Sequence, residues 1–311
     1  MKKGNYLRSR KIHSFLIMLS VLIPVYNYNA LPLVKEIVNQ FKKEGVDFEI
    51  LCYDDGSILY EEENNEIDSL SNVIFKKSST NIGRTATRQK LARDASYDWL
   101  LFVDADMIPK SDQFIKNYLL CMQEPDEREV IFGGYAYKNL NQPKGLLRYR
   151  YGKKREEISA TKRVENPYKN VLSGNMLIKK SLFLEANTLL QNKYGLDPLF
   201  SAQLQSLLVV PSHIDNEVYH NGLENNKVFL EKSKEGAKTI YWLYQKNLIT
   251  KNQSQLVKAL QWLQRFKLLG FFKAISKLII KPIEKLLFTG SAPLFLFDFY
   301  RLYWFIKNSL K

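Results

Sequence analysis

Two carboxylates separated by one small residue, Asp104-Ala105-Asp106, directly follow an apolar run that ends at Val103. A pair of aspartates at the end of a buried strand can hold a hard divalent cation, directly or through water. Mg²⁺ or Mn²⁺ bound in this way keeps open positions for the oxygens of a diphosphate. The alternative is a solvated turn, because Asp-x-Asp is frequent by chance. This pair alone leaves both interpretations open.

Two further polar clusters lie in positions where they could bind the rest of a nucleotide. Asp54-Asp55-Gly56-Ser57 ends a second apolar run, and its carboxylates could accept hydrogen bonds from a nucleobase edge or from ribose hydroxyls. The alternative is an ordinary Asp-Gly turn. Asn81-Ile82-Gly83 precedes a predicted helix that carries Arg84 and Arg88, four residues apart on one face. Cations there suit a diphosphate, and the alternative is two solvated arginines.

Apolar runs that alternate with helical patterns must position these clusters. The apolar runs predict four strands, over Ser20–Asn27, Phe48–Tyr53, Val73–Phe75 and Trp99–Val103. The patterns between them predict helices over 31–44 and 85–95. Strands that are apolar throughout indicate a parallel sheet covered on both faces. The polar clusters follow the strand ends, where open α/β sheets bind ligands.

The stretch from Phe15 to Val25 follows several basic residues, as the apolar part of a signal peptide would. No small-x-small cleavage site follows it, and it is shorter than the roughly 20 apolar residues of a spanning helix. We therefore predict a buried first strand.

Later segments give weaker patterns. Val130–Gly134 and Leu207–Val210 predict strands, a helix is expected from about Lys180, and the pattern is helical from about residue 226. Residues 138–170 are basic and interrupted by Gly and Pro, which predicts a mobile or acceptor-side loop.

The formal net charge of +14 over 311 residues indicates an anionic partner. Cys52 and Cys121 are the only cysteines and form neither a disulfide framework nor a thiolate metal site, which favours a reducing compartment. No zinc, helix-turn-helix or RNP-like pattern is present, so nucleic acid is not an expected partner.

In order and spacing, these segments resemble the inverting family 2 glycosyltransferases of GT-A fold, of the bacterial surface-polysaccharide type. The matching segments are Ser20–Asn27, Asp54–Ser57, Asn81–Arg88, Asp104–Asp106, Ser173-Gly174-Asn175 and Tyr194–Phe200. The resemblance covers roughly residues 19–235. It divides the chain into a basic lead-in over 1–18, a GT-A domain over 19–235, and a helical, basic-amphipathic region over 236–311.

The resemblance implies an α/β fold with a Rossmann-like, mostly parallel central sheet and a helical C-terminal extension. It implies a metal-dependent transferase that moves a sugar from a nucleotide-sugar to an acceptor hydroxyl with inversion. A UDP-linked donor is expected in preference to a GDP-linked one, with Mn²⁺ or Mg²⁺ as cofactor.

The resemblance also assigns residues. The donor-binding residues that it implies are Pro24, Tyr26, Asp54, Asp55, Arg84, Arg88, Asp104 and Asn175. The implied metal ligands are Asp104, Asp106 and His220, with Asp106 the direct one in preference to Asp104. A lone histidine is more often structural, so His220 has that alternative.

The implied catalytic base is Asp197, in the segment Tyr194-Gly195-Leu196-Asp197-Pro198-Leu199-Phe200. Relatives carry a Glu-Asp pair in a segment like Tyr-Gly-x-Glu-Asp-x-x-Phe, and here Leu196 stands in place of the Glu. This departure opens a second hypothesis, a catalytically silent, membrane-docked binder of a nucleotide-sugar.

The C-terminal region has lysines every fourth residue, at 273, 277, 281 and 285, with apolar residues between them. A basic amphipathic helix of this kind lies in a membrane interface. We therefore expect a cytoplasmic protein that is peripheral on the inner face of the cell membrane, with a saccharide or lipid-linked saccharide as acceptor. The alternatives are a packed helical subdomain or a span over Leu286–Ile306, against which Asp298 and Arg301 argue.

Overall fold

The computed structural model describes residues 18–124, 128–139, 146–189 and 191–307. The strands in these ranges are β1 (Met18–Val25), β2 (Asp47–Asp54), β3 (Val73–Lys77), β4 (Trp99–Val103), β5 (Met107–Pro109), β6 (Val130–Phe132), β7 (Tyr135–Ala136), β8 (Asn175–Lys179), β9 (Ser212–His213) and β10 (Val218–His220). The helices are α1 (Leu31–Glu44), α2 (Glu61–Asn65), α3 (Arg84–Asp94), α4 (Phe114–Gln123), α5 (Leu146–Arg155), α6 (Ala160–Arg163), α7 (Lys180–Ala186), α8 (Asp197–Ser206), α9 (Asn226–Gln245), α10 (Gln255–Arg265), α11 (Leu269–Phe288) and α12 (Leu294–Lys307). A 3₁₀ turn covers Glu66–Ser69.

The central sheet of the described chain has seven strands in the order β3-β2-β1-β4-β8-β6-β9. β1 pairs in parallel with β2 and β4, and β2 pairs in parallel with β3. β8 runs antiparallel to both of its neighbours. The prediction of a mostly parallel sheet flanked by helices is confirmed, and the carboxyl ends of β1, β2 and β4 meet at one edge.

The apolar runs form these strands because both faces of the sheet are covered. Five of the eight residues of β1 lie in one continuous buried run from Leu19 to Ile23. α1 covers one face, and it begins with a proline in its first turn and ends at Gly45, which has the left-handed φ of +62°. The rings of Phe41 and Phe48 stack there with centroids 4.1 Å apart. These contacts fix the strand ends relative to one another.

A second sheet of three short strands, in the order β5-β10-β7, lies beyond the end of β4. β10 pairs antiparallel with β5, so that His220 is opposite Met107 in the register. Strands of two or three residues have no detectable periodicity, and the sequence predicts none of the three. This sheet brings His220 beside the residue that precedes Met107, which is Asp106.

The C-terminal helices pack on one another and on α5. Asn225 caps α9, its side chain accepting from the Val228 amide at 3.0 Å. One apolar cluster joins Leu147 of α5 to Phe229 and Leu230 of α9 and to buried residues of α11 and α12. The helical C-terminal extension is thus confirmed, while the predicted boundary at 235/236 falls inside α9.

The structure corrects the strand predicted over Leu207–Val210. α8 continues to Ser206, Leu208 adopts a φ of +59°, and the side chains of Leu208 and Val210 are exposed. The strand lies further on, where Ser212 and His213 pair with β6. Leu208 and Val210 are therefore surface residues, while Leu207 and Val209 pack partly buried against an apolar cluster.

The basic segment over 138–170 is predicted to be a loop, and this prediction is wrong where two helices form. It contains α5 and α6, while residues 140–145 lie outside the described residues. Ion pairs and ring contacts hold α5 in place without an apolar periodicity. Of the helices in the described part of the chain, none combines the length and hydropathy that crossing a bilayer requires.

Candidate active site

The two aspartates at the end of β2, Asp54 and Asp55, are buried and bind backbone amides. The Asp54 carboxylate accepts from the Ser57 amide at 2.7 Å, and the two Asp55 oxygens accept from the amides of Ile82 and Gly83 at 2.8 and 2.9 Å. Asp55 therefore ties the end of β2 to the turn that begins α3. Both aspartates also border a small recess whose lining includes Lys76, Lys77 and Lys90.

The predicted arginines converge on the first carboxylate after β4. Arg84 Nη2 contacts Asp104 Oδ2 at 2.8 Å, and Arg88 forms an ion pair with the other oxygen of the same carboxylate. Arg88 is buried and its guanidinium lies 5.5 Å from the centroid of the Phe102 ring, whereas half of the Arg84 side chain is exposed. Arg84 is therefore the arginine that can turn towards a ligand.

The charge of Asp104 depends on these two arginines. Burial alone would raise the pKa of Asp104, but the positive charges of Arg84 and Arg88 outweigh that effect and hold the pKa below its ordinary value. The carboxylate is therefore ionised at neutral pH. It fixes the arginines at the edge of the sheet where a diphosphate would lie.

A chain of two polar contacts connects this ion pair to Asp197. Arg84 Nη2 is also 3.3 Å from Ser173 Oγ, and Ser173 Oγ donates to Asp197 Oδ1 at 2.9 Å. Asp197 begins α8 but does not cap it, because the N-cap residue is Leu196 and it makes no side-chain capping bond. The Asp197 carboxylate is thus held towards the strand ends.

A cavity of about 190 Å³ opens along these contacts. Arg84, Ser173 and Asp197 line it together with apolar side chains of α7 and α8, among them Phe183 and Phe200. The cavity combines a carboxylate, a cation and apolar walls. Small-molecule sites commonly have this composition.

Asp106 lies in a second cluster, beside the short sheet. His220 Nε2 is 3.2 Å from Asp106 Oδ2, and His220 Nδ1 is 3.4 Å from Arg148 Nη2. Because arginine can only donate, this contact favours a His220 proton on Nε2, where it faces Asp106. Arg148 also pairs with Glu156 at 3.0 Å, and its Nη1 is buried without a hydrogen-bond partner in the described part of the chain.

The chemistry of these groups decides how a divalent metal could fit. Both Asp104 oxygens are bound by arginine, and no three His, Cys, Asp or Glu side chains of the described residues converge on one point. The three predicted metal ligands therefore do not form one cluster. Asp106 and His220 do converge, and Mg²⁺ is commonly held by one or two protein groups plus substrate phosphates. Asp106 is thus the carboxylate that could hold a metal, whereas the His220 tautomer favoured by Arg148 turns an N–H, and not a lone pair, towards Asp106.

The other predicted donor residues have different surroundings. Asn175 is fully buried: its amide group donates to the carbonyls of Gly134 and Asn216 and accepts from the Tyr118 hydroxyl. Its hydrogen bonds hold neighbouring segments together at the strand ends, and its side chain does not line the cavity. Pro24 is half-buried at the end of β1, and the side chain of Tyr26 is exposed beyond it.

Sequence reasoning missed several residues of the site. Ser173 lies in a segment that was matched, but its contact with Asp197 could be seen only after the chain had folded. Arg148 lies in the segment predicted to be a loop. Gly222 packs directly against Asp106, where an added Cβ would collide with the carboxylate, and its place next to His220 was the available clue.

The mixed sheet flanked by helices, with carboxylates and arginines at its strand ends, is the GT-A architecture of the sugar-transferring enzymes. Residues 20–185, just over half of the chain, match glycosyl transferase family 2, and the chain belongs to that family. No sequence among curated proteins matches it.

Two solved structures agree on the fold at low sequence identity. Mannosyl-3-phosphoglycerate synthase from Rubrobacter xylanophilus superposes with a TM-score of 0.53 and 14% identity, over 76% of this chain and 77% of that one. A mycobacterial protein gives a TM-score of 0.52 and 14% identity over 75% of each chain. S. aureus TarS 1-349 in complex with UDP-GlcNAc gives a TM-score of 0.48 and 16% identity over 94% and 92%.

Proposed function

We propose that this glycosyltransferase moves a sugar from a nucleotide-sugar, UDP-linked in preference to GDP-linked, to an acceptor hydroxyl with inversion. The observation that carries the proposal is the line from Asp104 through Arg84 and Ser173 to Asp197, along one cavity. It brings the half-exposed cation of Arg84 and the hydrogen-bonded carboxylate of Asp197 within reach of one bound molecule. Transfer of a glycosyl group needs both.

The cation offsets the charge that grows on the departing nucleoside diphosphate. Arg84 keeps half of its side chain exposed and bridges two acceptors, so it can move to a phosphate oxygen while Arg88 continues to neutralise Asp104. Preorganised charges of this kind stabilise the transition state without reorganisation during the reaction. We assign the diphosphate contact to Arg84 and a positioning role to Arg88.

We place the divalent metal, Mn²⁺ or Mg²⁺, at Asp106 with His220 beside it. When bound, such a metal supplies Lewis-acid stabilisation of the diphosphate oxygens. Asp106 supplies the carboxylate ligand, and Gly222 leaves room for it. Asp104, whose oxygens pair with arginine, keeps the neighbouring cations in place instead of binding the metal.

The carboxylate of Asp197 takes the acceptor proton. Ser173 donates to one of its oxygens, which orients the carboxylate and leaves the other oxygen towards the cavity. A base must come within about 2.6–3.2 Å of the acceptor hydroxyl when the substrates are bound. An acceptor that enters opposite the diphosphate would attack in line, and inversion follows from that geometry.

The acceptor is a saccharide or a lipid-linked saccharide, and the process is assembly of a bacterial surface polysaccharide or glycolipid at the inner face of the cell membrane. The net charge of +14 supports an anionic surface as partner. The family resemblance supports the pathway by analogy.

A second candidate is a silent binder of the nucleotide-sugar. Leu196, which stands where relatives carry a Glu, packs partly buried against an apolar cluster of α9, α10 and α12. The second acid is therefore replaced by a packing residue. Such a protein would bind the donor at the same strand ends and transfer nothing.

One experiment separates the two candidates. Purified protein is given a panel of UDP- and GDP-sugars with Mn²⁺, Mg²⁺ or EDTA, and release of nucleoside diphosphate is followed beside calorimetric binding. We expect release from one donor, with metal only, and none from Asp106→Ala at unchanged thermal stability. Binding without release across the panel, with a membrane lipid extract supplying acceptor hydroxyls, would establish the silent binder, and release in EDTA would remove the metal from the proposal.

A further inference from the structure

α11 has two apolar faces, and the protein buries only one of them. Ser276, Ile280, Ile283 and Leu287 recur at helical spacing and are buried against the neighbouring helices. This is the face by which α11 holds to the fold.

The opposite face of α11 is apolar and exposed. Phe271, Ile275, Leu278 and Leu286 lie within about a third of a turn of one another, on the side away from the buried residues. The Phe271 side chain is 67% exposed and that of Leu278 79%. Scattered exposed apolar residues are normal, but a row of four along one helix forms a continuous patch. We call these four residues the outer face of α11.

Lysines border the outer face on one side. Lys277, Lys281 and Lys285 follow one another every four residues, which moves each about 40° further round the helix until Lys285 lies next to Leu278. All three are exposed, and none forms an ion pair with a described residue. Glu284, the one acid of α11, lies on the other side of the lysine row, next to the buried face. The outer face therefore combines apolar surface with unpaired positive charge.

Exposed aromatic side chains lie just before the outer face begins. Trp262 and Phe266 at the end of α10 are both 54% exposed, and their ring centroids are 5.1 Å apart. Tryptophan and other aromatic residues are enriched where protein meets the headgroup region of a bilayer.

We infer that the outer face of α11 is a docking surface for an anionic lipid bilayer, with the helix lying in the plane of the interface. The apolar row enters the boundary between headgroups and acyl chains, to a depth of about 5–10 Å for helices of this kind. The lysines lie at headgroup level against anionic phosphates. The exposed rings of Trp262 and Phe266, which suit the headgroup region, favour a bilayer over an acidic protein with an apolar groove. The charge and the apolar row together select lipid.

The first test measures sedimentation with vesicles of phosphatidylcholine alone or with about 30% phosphatidylserine, an anionic lipid. The full chain should bind the anionic vesicles and bind the neutral ones more weakly, and high salt should reduce the difference. Lys277→Gln, Lys281→Gln and Lys285→Gln together should lower anionic vesicle binding by about a hundredfold, at about fivefold per lysine. The matched control changes three exposed lysines elsewhere, Lys42, Lys43 and Lys116, which make no ion pair with described residues. An equal loss in the control would mean that net charge alone attracts the protein, which overturns the inference.

The second test addresses the apolar row. Leu278→Gln should lower vesicle binding more than tenfold, the usual effect of losing a buried leucine, while Leu120→Gln on α4, also exposed, should leave it unchanged. Thermal unfolding midpoints of both variants should equal that of the parent. If Leu278→Gln instead converts a dimer to a monomer in sedimentation velocity, with vesicle binding unaltered, the outer face joins two copies of the chain and the inference fails.

A third measurement does not depend on loss of binding. A polarity-sensitive fluorophore is attached to Leu278→Cys. The background carries Cys121→Ser, and Cys52 can stay because it is buried. The emission maximum of the fluorophore should shift to the blue when anionic vesicles are added. The same probe on Leu120→Cys should not shift. No shift at position 278 would overturn the inference even if the protein sediments with vesicles.

Discussion

At the scale of single residues, Asp197 gives the most direct test of the chemistry. Asp197→Asn keeps the size of the side chain and its contact with Ser173 but cannot accept a proton. We expect unchanged donor affinity in calorimetry and a transfer rate lower by roughly 10² to 10⁴, the usual contribution of a general base. Asp112→Asn, at an exposed position, is the control. Near-normal transfer by Asp197→Asn would assign the proton to another group.

Gly222 tests the place of Asp106 without removing its carboxylate. In Gly222→Ala the new methyl group collides with that carboxylate and must displace it. A displacement of about 1 Å can cost about 10²-fold in rate, and the Mn²⁺ concentration for half-maximal rate should rise. Gly270→Ala is the matched control, because an added Cβ there meets nothing within 4 Å. An unaltered Mn²⁺ response in Gly222→Ala would remove Asp106 from the metal site.

Asp104 links the site to stability in acid. Its pKa is lowered, so its ionised form stabilises the fold at pH values above the ordinary aspartate pKa of about 3.9, and this contribution is lost as the pH falls through the lowered value. Asp104→Asn leaves Arg88 buried without its partner, which should cost about 3 kcal/mol of unfolding free energy at pH 7. Urea unfolding at pH 7 and below pH 4 should show the difference between variant and parent shrinking in acid. A difference that stays constant would contradict the role of the charge.

The sequence located most of these side chains but not their partners. The sequence predicts five of them at one edge of the sheet, because each lies at the end of a strand or in the first turns of a helix whose hydrophobic period is visible. These five are Asp54, Asp55, Arg84, Arg88 and Asp104. That Asp55 binds backbone amides and Asn175 supports the core could not be predicted, since both depend on contacts between distant segments. The same is true of Ser173, which meets Asp197 across 24 positions of the chain.

At the scale of elements, α5 has the largest difference between prediction and structure. Its sequence is rich in Arg, Lys and Tyr, so it lacks an apolar stripe, and tertiary contacts determine its helical form. β1, β2 and β4 were predictable because burial on both faces requires unbroken apolar runs, whereas β3 lies at the edge of the sheet and is mostly exposed. The strands β5, β7 and β10 are too short to show any period.

The buried ion pair of α5 gives a prediction at this scale. A double-mutant cycle of Arg148→Met and Glu156→Gln should show a coupling of about 2 kcal/mol in unfolding free energy, because the pair is mostly buried. The control cycle uses Lys238 and Glu235 on α9, which are exposed and should couple by less than about 0.5 kcal/mol. Equal couplings would mean that α5 is solvated, as a loop would be.

At the scale of the whole molecule, the C-terminal helices α9 to α12 and the α/β domain that contains the central sheet depend on each other for stability. Phe297, Tyr300 and Phe305 of α12 are buried, and the Tyr300 hydroxyl donates to the Leu230 carbonyl of α9 at 3.2 Å. Deleting residues 266–311 would therefore expose the apolar sides of α5 and α9. We expect the truncated chain to be destabilised by more than 5 kcal/mol, since each lost aromatic contact is worth about 3 kcal/mol, and circular dichroism during urea unfolding measures it. A truncated protein as stable as the parent would show that the rest of the chain folds without α11 and α12.

Two arginines on α5 join the α/β domain to the C-terminal helices. Arg148 contacts His220, and Arg150, about 200° further round the helix, donates from Nη1 to the carbonyls of Gly290 and Ala292 at 2.9 and 2.8 Å. The turn after α11 and the cluster around Asp106 are therefore in contact with opposite sides of one short helix. A movement of α5 that alters one contact alters the other. Any influence of the outer face of α11 on donor affinity must then be reciprocal, with the bound donor changing affinity for the lipid surface by the same factor.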